Sequence, residues 1–342
     1  MANINRRYVL KERPRFQVPT AKCFRLEEEA APEPGEGEFR IRTTWLGMDP
    51  NLFSKVKKVS DQARPIPIGA VMYGATVGRV DISNHPDFSV GDLVHGLWGW
   101  QDYFISNGAG IFSVDNDISR PSYCLGALGA TGFGAYLVVN DVLAVKNGDT
   151  VFCSAATGAL GQMVGQISHL KGGATYGSAG TDEKCRLAVS KLGYTDCFNY
   201  KSENFERMLS DRIDGGIDAM VVSAGGQTFD ATFPLMAPGG RIAVCGLMAL
   251  YSMTQLPVTP DRSFMILNEI LLKRLTVKGS MVLDMLNTDR HVEFKREMKS
   301  WIAQGVVRPV EFITEGLENA PDALRAVFDG ENIGKSVVHV SD

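Results

Sequence analysis

The chain has 342 residues, 44% hydrophobic and 22% charged, with 35 Lys and Arg against 39 Asp and Glu for a net charge of −4. This is the composition of a folded globular chain with room for two domains, which the pattern of strands and helices below makes α/β, and it excludes disordered, fibrous and collagen-like proteins. Acidic and basic residues are mixed throughout, so there is no electrostatic footprint for nucleic acid or an acidic membrane.

No stretch reaches 18 apolar residues, and the opening "MANINRRYVLKERPRF" is polar with no apolar signal core, so a cytoplasmic protein without a membrane span is expected. Cys23, Cys124, Cys153, Cys185, Cys197 and Cys245 lie no closer than twelve positions apart. That spacing leaves no C-x-x-C knuckle or redox pair and predicts buried free thiols in a reducing compartment.

Residues 1 to about 120 read as short strands broken by Gly, Pro and Asn. In "GEFRIRTTWLGMDP", Phe39, Ile41, Thr43 and Trp45 alternate on one face, the period of a strand. "YGATVGRVDIS" and "GDLVHGLWGWQDYFIS" have the same texture and are joined by the turn-prone "NHPDFSVGD", which predicts a β-rich, partly closed barrel. From Gly126 the pattern changes. "DTVFCSA" reads as a strand, and Leu160, Met163, Val164, Ile167 and Leu170 then mark one face of a helix. "ATYGSAG" is strand-like, "TDEKCRLAVSKLG" is a helix capped near Thr181, and "DCFNY" precedes a helix opened by Ser202. "IDAMVVSAGG" and "GRIAVCG" are further strands, and "SFMILNEILLKR", "LTVKGSMV" and "HVEFKREMKSWIAQG" extend the unit. Strand and helix alternating at this spacing imply a doubly wound parallel sheet. The tail, "ENAPDALRAVFDG" and "KSVVHV", is one helix and one strand that return to the N-terminal barrel. The expected domains are therefore 1–125 with 308–342, and 126–307.

The run "FCSAATGALGQMVGQISHLKGG", 152–173, has a strand before it, a helix after it and a second strand completing a βαβ unit. Ala156 stands where the first glycine of G-x-G-x-x-G often sits. Gly158 lets the backbone approach a pyrophosphate and Gly161 lets helix and strand pack closely. Free amides at the helix start, Thr157 to Gly161 with Ala159 and Leu160 between, would hold the phosphates. NAD-binding chains usually end the second strand in Asp or Glu; here the place is Gly177-Ser178, with Lys184 and Arg186 a turn later. A missing anion and nearby cations favour a 2′-phosphate, hence NADPH.

Taken with "DP" at 49–50, "VGRV" at 77–80, "NHPDFSVGD" at 84–92, "GWQDY" at 99–103, "LGATGFGAY" at 128–136, "AATGALG" at 155–161, "GTDEK" at 180–184, "LGYTDCFNYK" at 192–201, "APGGRIAVCG" at 237–246 and "ENIGKSVV" at 331–338, this run resembles the zinc-independent medium-chain dehydrogenases/reductases. The branch is that of prostaglandin reductases, leukotriene B4 dehydrogenase-like proteins, plant alkenal double-bond reductases and bacterial curcumin reductases. The resemblance implies a GroES-like domain packed on a Rossmann domain, with NADPH in the cleft. It further implies that Lys184 meets the 2′-phosphate, that Tyr200 lies along the adenine and that Asn332 contacts the nicotinamide half. Thr131, Ser178, Ser223, Cys245 and Gly246 complete the expected cofactor contacts. Homodimers in this superfamily commonly join through Rossmann edge strands, which nominates "LTVKGSMV".

Zinc-dependent alcohol chemistry would need a His-Glu pair and cysteine ligands, and no His-Glu dipeptide occurs, so no metal is expected. Tyr-x-x-x-Lys fails at all nine tyrosines. "GENIGKS" at 330–336 is one residue short of a P-loop and precedes a strand. Reducing a C=C bond conjugated to a carbonyl asks only for hydride at the β-carbon and a hydrogen-bond donor to the carbonyl oxygen. An NADPH-dependent reductase of hydrophobic enones is therefore expected. A quinone reductase, a zinc-free hydroxy-lipid alcohol dehydrogenase and a non-catalytic NADPH-binding protein remain as alternatives. The chain departs from the family pattern where D-P-Y-M-R reads "DPNLFS", placing Asn51 and Phe53 in the substrate pocket, and where "GSMVLD" has Leu283 in place of a pocket tyrosine. Gly134 and Ser223 replace a frequent threonine and asparagine. Tyr73 and Tyr251 are the expected replacement donors, hence the candidate catalytic residues.

Overall fold

A computed structural model describes residues 3–14, 18–57, 65–115, 118–251, 261–282, 285–286 and 288–342. The chain divides into two compact units, Met1–Gly126 with Glu311–Asp342, and Ala127–Val310.

The first unit opens with β1 (Ile4–Leu10) and β2 (Phe24–Ala30), an antiparallel pair, followed by β3 (Phe39–Gly47) and the short α1 (Leu52–Val56). Next come β4 (Thr76–Ser83), β5 (Leu93–Gly96), β6 (Tyr103–Ser106) and β7 (Phe112–Ser113). Alternation understates the burial of β3: Phe39 and Ile41 are in the core as expected, but Arg40 and Leu46 on the other face are buried too. The strand has neighbours on both sides, and the Arg40 guanidinium is neutralised by Asp81 at 3.0 Å and Glu33 at 3.0 Å, which offsets its desolvation.

In the second unit α2 (Ala130–Leu137) leads to β8 (Thr150–Cys153), α3 (Gly161–Leu170), β9 (Ala174–Ala179), α4 (Asp182–Lys191) and β10 (Asp196–Asn199). Then follow α5 (Phe205–Arg212), β11 (Ile217–Val222), α6 (Gly226–Thr232), β12 (Met236–Val244), α7 (Met248–Tyr251), α8 (Ser263–Lys273), β13 (Thr276–Gly279) and α9 (Asp289–Ala303). The six strands are all parallel, in the order β10-β9-β8-β11-β12-β13. This is the doubly wound sheet expected from the alternation, and its direction of winding reverses between β8 and β11. Phe152, Phe198, Phe205, Leu209, Met220 and Ile242 form part of its core. Thr181 caps α4 as expected, its Oγ1 accepting the Lys184 amide at 3.2 Å. Helix α5 begins at Phe205 rather than at Ser202, whose hydroxyl instead accepts the Asn204 amide in the preceding turn.

The chain then returns to the first unit with β14 (Glu311–Glu315), α10 (Ala320–Asp329) and β15 (Lys335–His339). Strand β15 lies between β14 and β3 in the sheet order β14-β15-β3-β4-β5-β7, with β6 paired to β3. Six of the ten residues of α10 are apolar and buried, Leu324 and Val327 included.

Candidate active site

Ligands of doubly wound sheets bind outside the carboxyl ends of the strands where winding reverses. Here that point is spanned by Ser154, after β8, whose Oγ accepts the amides of Ser223 at 2.9 Å and Ala224 at 3.2 Å, after β11. The sequence offered no motif for Ser154; its position one residue past β8 is the only signal. Ala155 then adopts φ 54°, a left-handed conformation sparsely populated by alanine. Its carbonyl receives the Gly158 amide at 2.9 Å and faces Gly161 so closely that a Cβ there would lie 2.2 Å away. The Ala156 amide donates to the Ser178 carbonyl at 2.9 Å, tying the loop to β9.

The amides of Gln162, Met163 and Val164 turn back on Gly158 and Leu160. Among the described residues of this unit, those of Thr157, Ala159, Leu160 and Gly161 find no acceptor. Unclaimed N–H groups at the start of α3, with the positive end of its dipole behind them, fit a pyrophosphate. Gly134 of α2 approaches this loop, a Cβ there standing 3.8 Å from Leu160, and Thr131 is one residue into the same helix.

Strand β9 ends without a carboxylate. The Ser178 hydroxyl is buried and unpartnered among the described residues, an orphan that a ribose or phosphate oxygen would satisfy. Lys184 stands in the first turn of α4 just beyond. Tyr200 follows β10, its amide on the Ala179 carbonyl at 3.1 Å and the Lys201 ammonium 6.0 Å from its ring centroid. A Cβ on Gly180 would sit 3.5 Å from the Tyr200 hydroxyl, so the β9–α4 turn and Tyr200 are neighbours. At the other side, the Cys245 and Gly246 amides donate to the Val222 carbonyl at 2.9 and 3.2 Å. The Ser223 hydroxyl beside them is likewise buried and unpartnered among the described residues. Burial pushes the Cys245 thiol up to about 12, which keeps it neutral. Tyr251 ends α7 with its pKa raised by burial. Leu283 lies outside the described residues.

The remaining candidates belong to the first unit. Asn51 is exposed at the start of α1. Phe53 is 4% exposed, its ring 5.7 Å from that of Phe328 and 4.2 Å from the Lys57 ammonium. Tyr73 is half-buried, which raises its pKa, and the Lys55 ammonium stands 4.6 Å from its ring centroid. Lys55 has no counterpart among the sequence expectations, because nothing in the sequence brings 55 to 73. The Asn332 side chain donates to the Gly334 carbonyl at 2.8 Å. Next to it Lys335, 2% exposed, donates to the Met48 carbonyl at 3.2 Å and pairs with Asp49, two residues before Asn51. No three His, Cys, Asp or Glu side chains converge into a metal-holding group among the described residues.

Residues 6–114 match the family described as "N-terminal domain of oxidoreductase" and residues 159–302 that described as "Zinc-binding dehydrogenase". The NADPH-dependent curcumin reductase of Escherichia coli (strain K12) is 41% identical over 337 residues, covering 98% of this chain and 97% of the relative. The NADP(+)-dependent 2-alkenal reductase of Nicotiana tabacum is 35% identical, covering 90% and 88%. The crystal structure of CurA from Vibrio vulnificus in complex with NADPH superposes with a TM-score of 0.94 at 40% identity, over 98% and 99% of the two chains. The chain is thus an oxidoreductase of the zinc-independent medium-chain dehydrogenase/reductase family, in the branch of the curcumin, alkenal and prostaglandin reductases.

Proposed function

We propose that the protein reduces the C=C bond of hydrophobic α,β-unsaturated carbonyl compounds with NADPH. The observation that carries this reading is the set of amides of Thr157, Ala159, Leu160 and Gly161, unclaimed among the described residues of their unit, beside a strand end that offers Ser178 and Lys184 where NAD-binding chains offer a carboxylate. Similarity to NADPH-dependent curcumin reductase and to alkenal reductase supports it.

When bound, NADPH supplies hydride to the β-carbon of the enone. The loop amides hold the pyrophosphate. Lys184 with Ser178 takes the 2′-phosphate, and Tyr200 flanks the adenine. Thr131, Ala156, Gly158, Ser223, Cys245, Gly246 and Asn332 line the rest of the nucleotide. As the β-carbon is reduced, negative charge develops on the carbonyl oxygen, and a positioned O–H donor lowers that barrier. Tyr73 and Tyr251 are assigned as those donors: a tyrosine phenol holds its proton at neutral pH, and burial raises the pKa of both further. The α-carbon then takes a proton from the tyrosine or from water. Asn51, Phe53 and Leu283 shape the pocket wall.

We also assign a cytoplasmic homodimer. Strand β13 is the edge of its sheet, and on α8, which precedes it in the chain, Phe264 (83% exposed), Met265 and Leu271 are apolar and exposed, a face that a second copy would cover.

The test is NADPH oxidation with a panel of enones, followed by product identification. A saturated ketone or aldehyde, with NADPH bound more tightly than NADH, is expected. Reduction of the carbonyl, turnover of quinones alone, tighter NADH binding, or binding without turnover would each overturn the reading.

A further inference from the structure

Gly165, the third glycine of the run 152–173, takes no part in the proposed grip on the phosphates, and neither does Tyr194 in the turn between α4 and β10. The fold joins them. A Cβ on Gly165 of α3 would stand 2.3 Å from one edge of the Tyr194 ring, and a Cβ on Gly177 of β9 would stand 2.6 Å from the other. The ring fills the slot that these two missing side chains leave between helix and strand, and Tyr194 is 3% exposed. Its turn is tied down on both sides. The Tyr194 amide donates to the Ala188 carbonyl of α4 at 3.3 Å, and the Thr195 amide to the Thr175 carbonyl of β9 at 2.7 Å.

A buried phenol needs an acceptor, and the one it finds is in the candidate cofactor loop: the Tyr194 hydroxyl donates to the Gly161 carbonyl at 2.7 Å. Gly161 opens α3 and carries one of the amides left unclaimed among the described residues of the unit. Its carbonyl shares a peptide unit with the Gln162 amide, which donates to the Gly158 carbonyl at 3.0 Å. That peptide unit is thus held at both ends, by the loop itself and by a side chain 33 positions away. A tyrosine phenol holds its proton at neutral pH, and burial raises the pKa of this one further, so the O–H remains a donor.

We propose that Tyr194 is a positioning residue for the cofactor. Its O–H fixes the first turn of α3, and with it the orientation in which the amides of Ala159, Leu160 and Gly161 meet the pyrophosphate. Holding a binding loop in its bound conformation before the ligand arrives removes part of the ordering cost of association. Buried behind the loop, the phenol acts through Gly161. The inference rests on the reading of this loop as the pyrophosphate site.

The test compares Tyr194→Phe, which keeps the ring in its slot and removes only the hydroxyl, with Ile167→Val, a change in the buried face of the same helix. Kd values for NADPH and NADH would be measured by fluorescence titration, with melting temperatures and steady-state kinetics on an enone. Both variants should melt about 2 °C lower. Tyr194→Phe alone should raise the Kd of NADPH and of NADH by the same factor, about fivefold, because the two nucleotides share the pyrophosphate. The KM for NADPH should rise with it while kcat at saturating NADPH holds. A lower melting temperature with both affinities unchanged, or a Tyr194→Phe protein that does not fold, would place the hydroxyl in the service of the core alone and overturn the proposal. Weakening of NADPH without NADH would overturn it too, since the effect would then lie at the 2′-phosphate. Gly161→Ala measured alongside separates the two levels: if it weakens both nucleotides while Tyr194→Phe does not, only the role of Tyr194 falls, and if neither variant weakens them, the placement of the pyrophosphate falls as well.

Discussion

In the loop from Ser154 to Gly161 the groups proposed to hold the cofactor are backbone amides, and their arrangement is enforced by contacts too close for a side chain at Gly161. Around residues 49–57 and 73 the groups that matter are side chains: Asn51 at the start of α1, Phe53 against Phe328, and Tyr73 beneath Lys55. The difference teaches why a family can keep its cofactor while changing its substrate. A backbone cradle is lost by almost any substitution at its tight points, whereas an exposed side-chain position such as Asn51, proposed to line the pocket, can change with the surrounding fold intact.

The sharpest way to break this comparison is Gly161→Ala. Its Cβ would stand 2.2 Å from the Ala155 carbonyl, a backbone atom that cannot swing aside. NADPH affinity should fall by roughly a hundredfold or more with a clear loss of thermal stability, since strain at such a site costs on the order of 3 kcal/mol. Titration and a melting curve check this; ordinary binding by the variant would mean that the loop is not rigid. At the other end, Tyr73→Phe or Tyr251→Phe should lower kcat about a hundredfold if that phenol serves the carbonyl oxygen, while NADPH affinity is unchanged. Single-turnover kinetics would reveal it, and two unaffected variants would remove tyrosine catalysis. Lys184→Ala should weaken NADPH by about ten- to a hundredfold, the worth of one charge-assisted contact, and leave NADH alone.

The smallest expected effect concerns pH. Glu311 on β14 has its pKa raised by burial, against the Ser122 and Arg120 hydrogen bonds. A carboxyl that ionises more readily when unfolded favours folding while neutral. Its contribution is complete below the ordinary carboxylate value and is lost as pH rises through the raised one. The melting temperature of the wild type relative to Glu311→Gln should therefore fall over that window, by about 2 °C.

The proposed nucleotide half of the candidate site is legible in the sequence because its determinants are local. Gly158, Gly161 and the missing carboxylate after β9 all follow from strand, turn and helix in one βαβ unit, and the Thr181 cap from a single side chain. The other half depends on residues that the fold brings together from afar. Lys335 reaches Asp49 across 286 positions, and Lys55 covers Tyr73 although eighteen positions separate them in the chain. Periodicity also misjudged β3, since a strand with partners on both edges and cover on both faces buries Arg40 as well as Phe39.

The insertion of β15 between β14 and β3 has a consequence for biosynthesis. A strand in the interior of the first unit's sheet leaves the ribosome only after all of residues 127–310. Until it arrives, the Trp45–Gly47 end of β3 lacks its β15 partner, and Asp49 waits for its lysine. The early-made half of the protein is thus finished last, and a nascent chain arrested before Lys335 would present an unpaired strand edge for chaperones to shield.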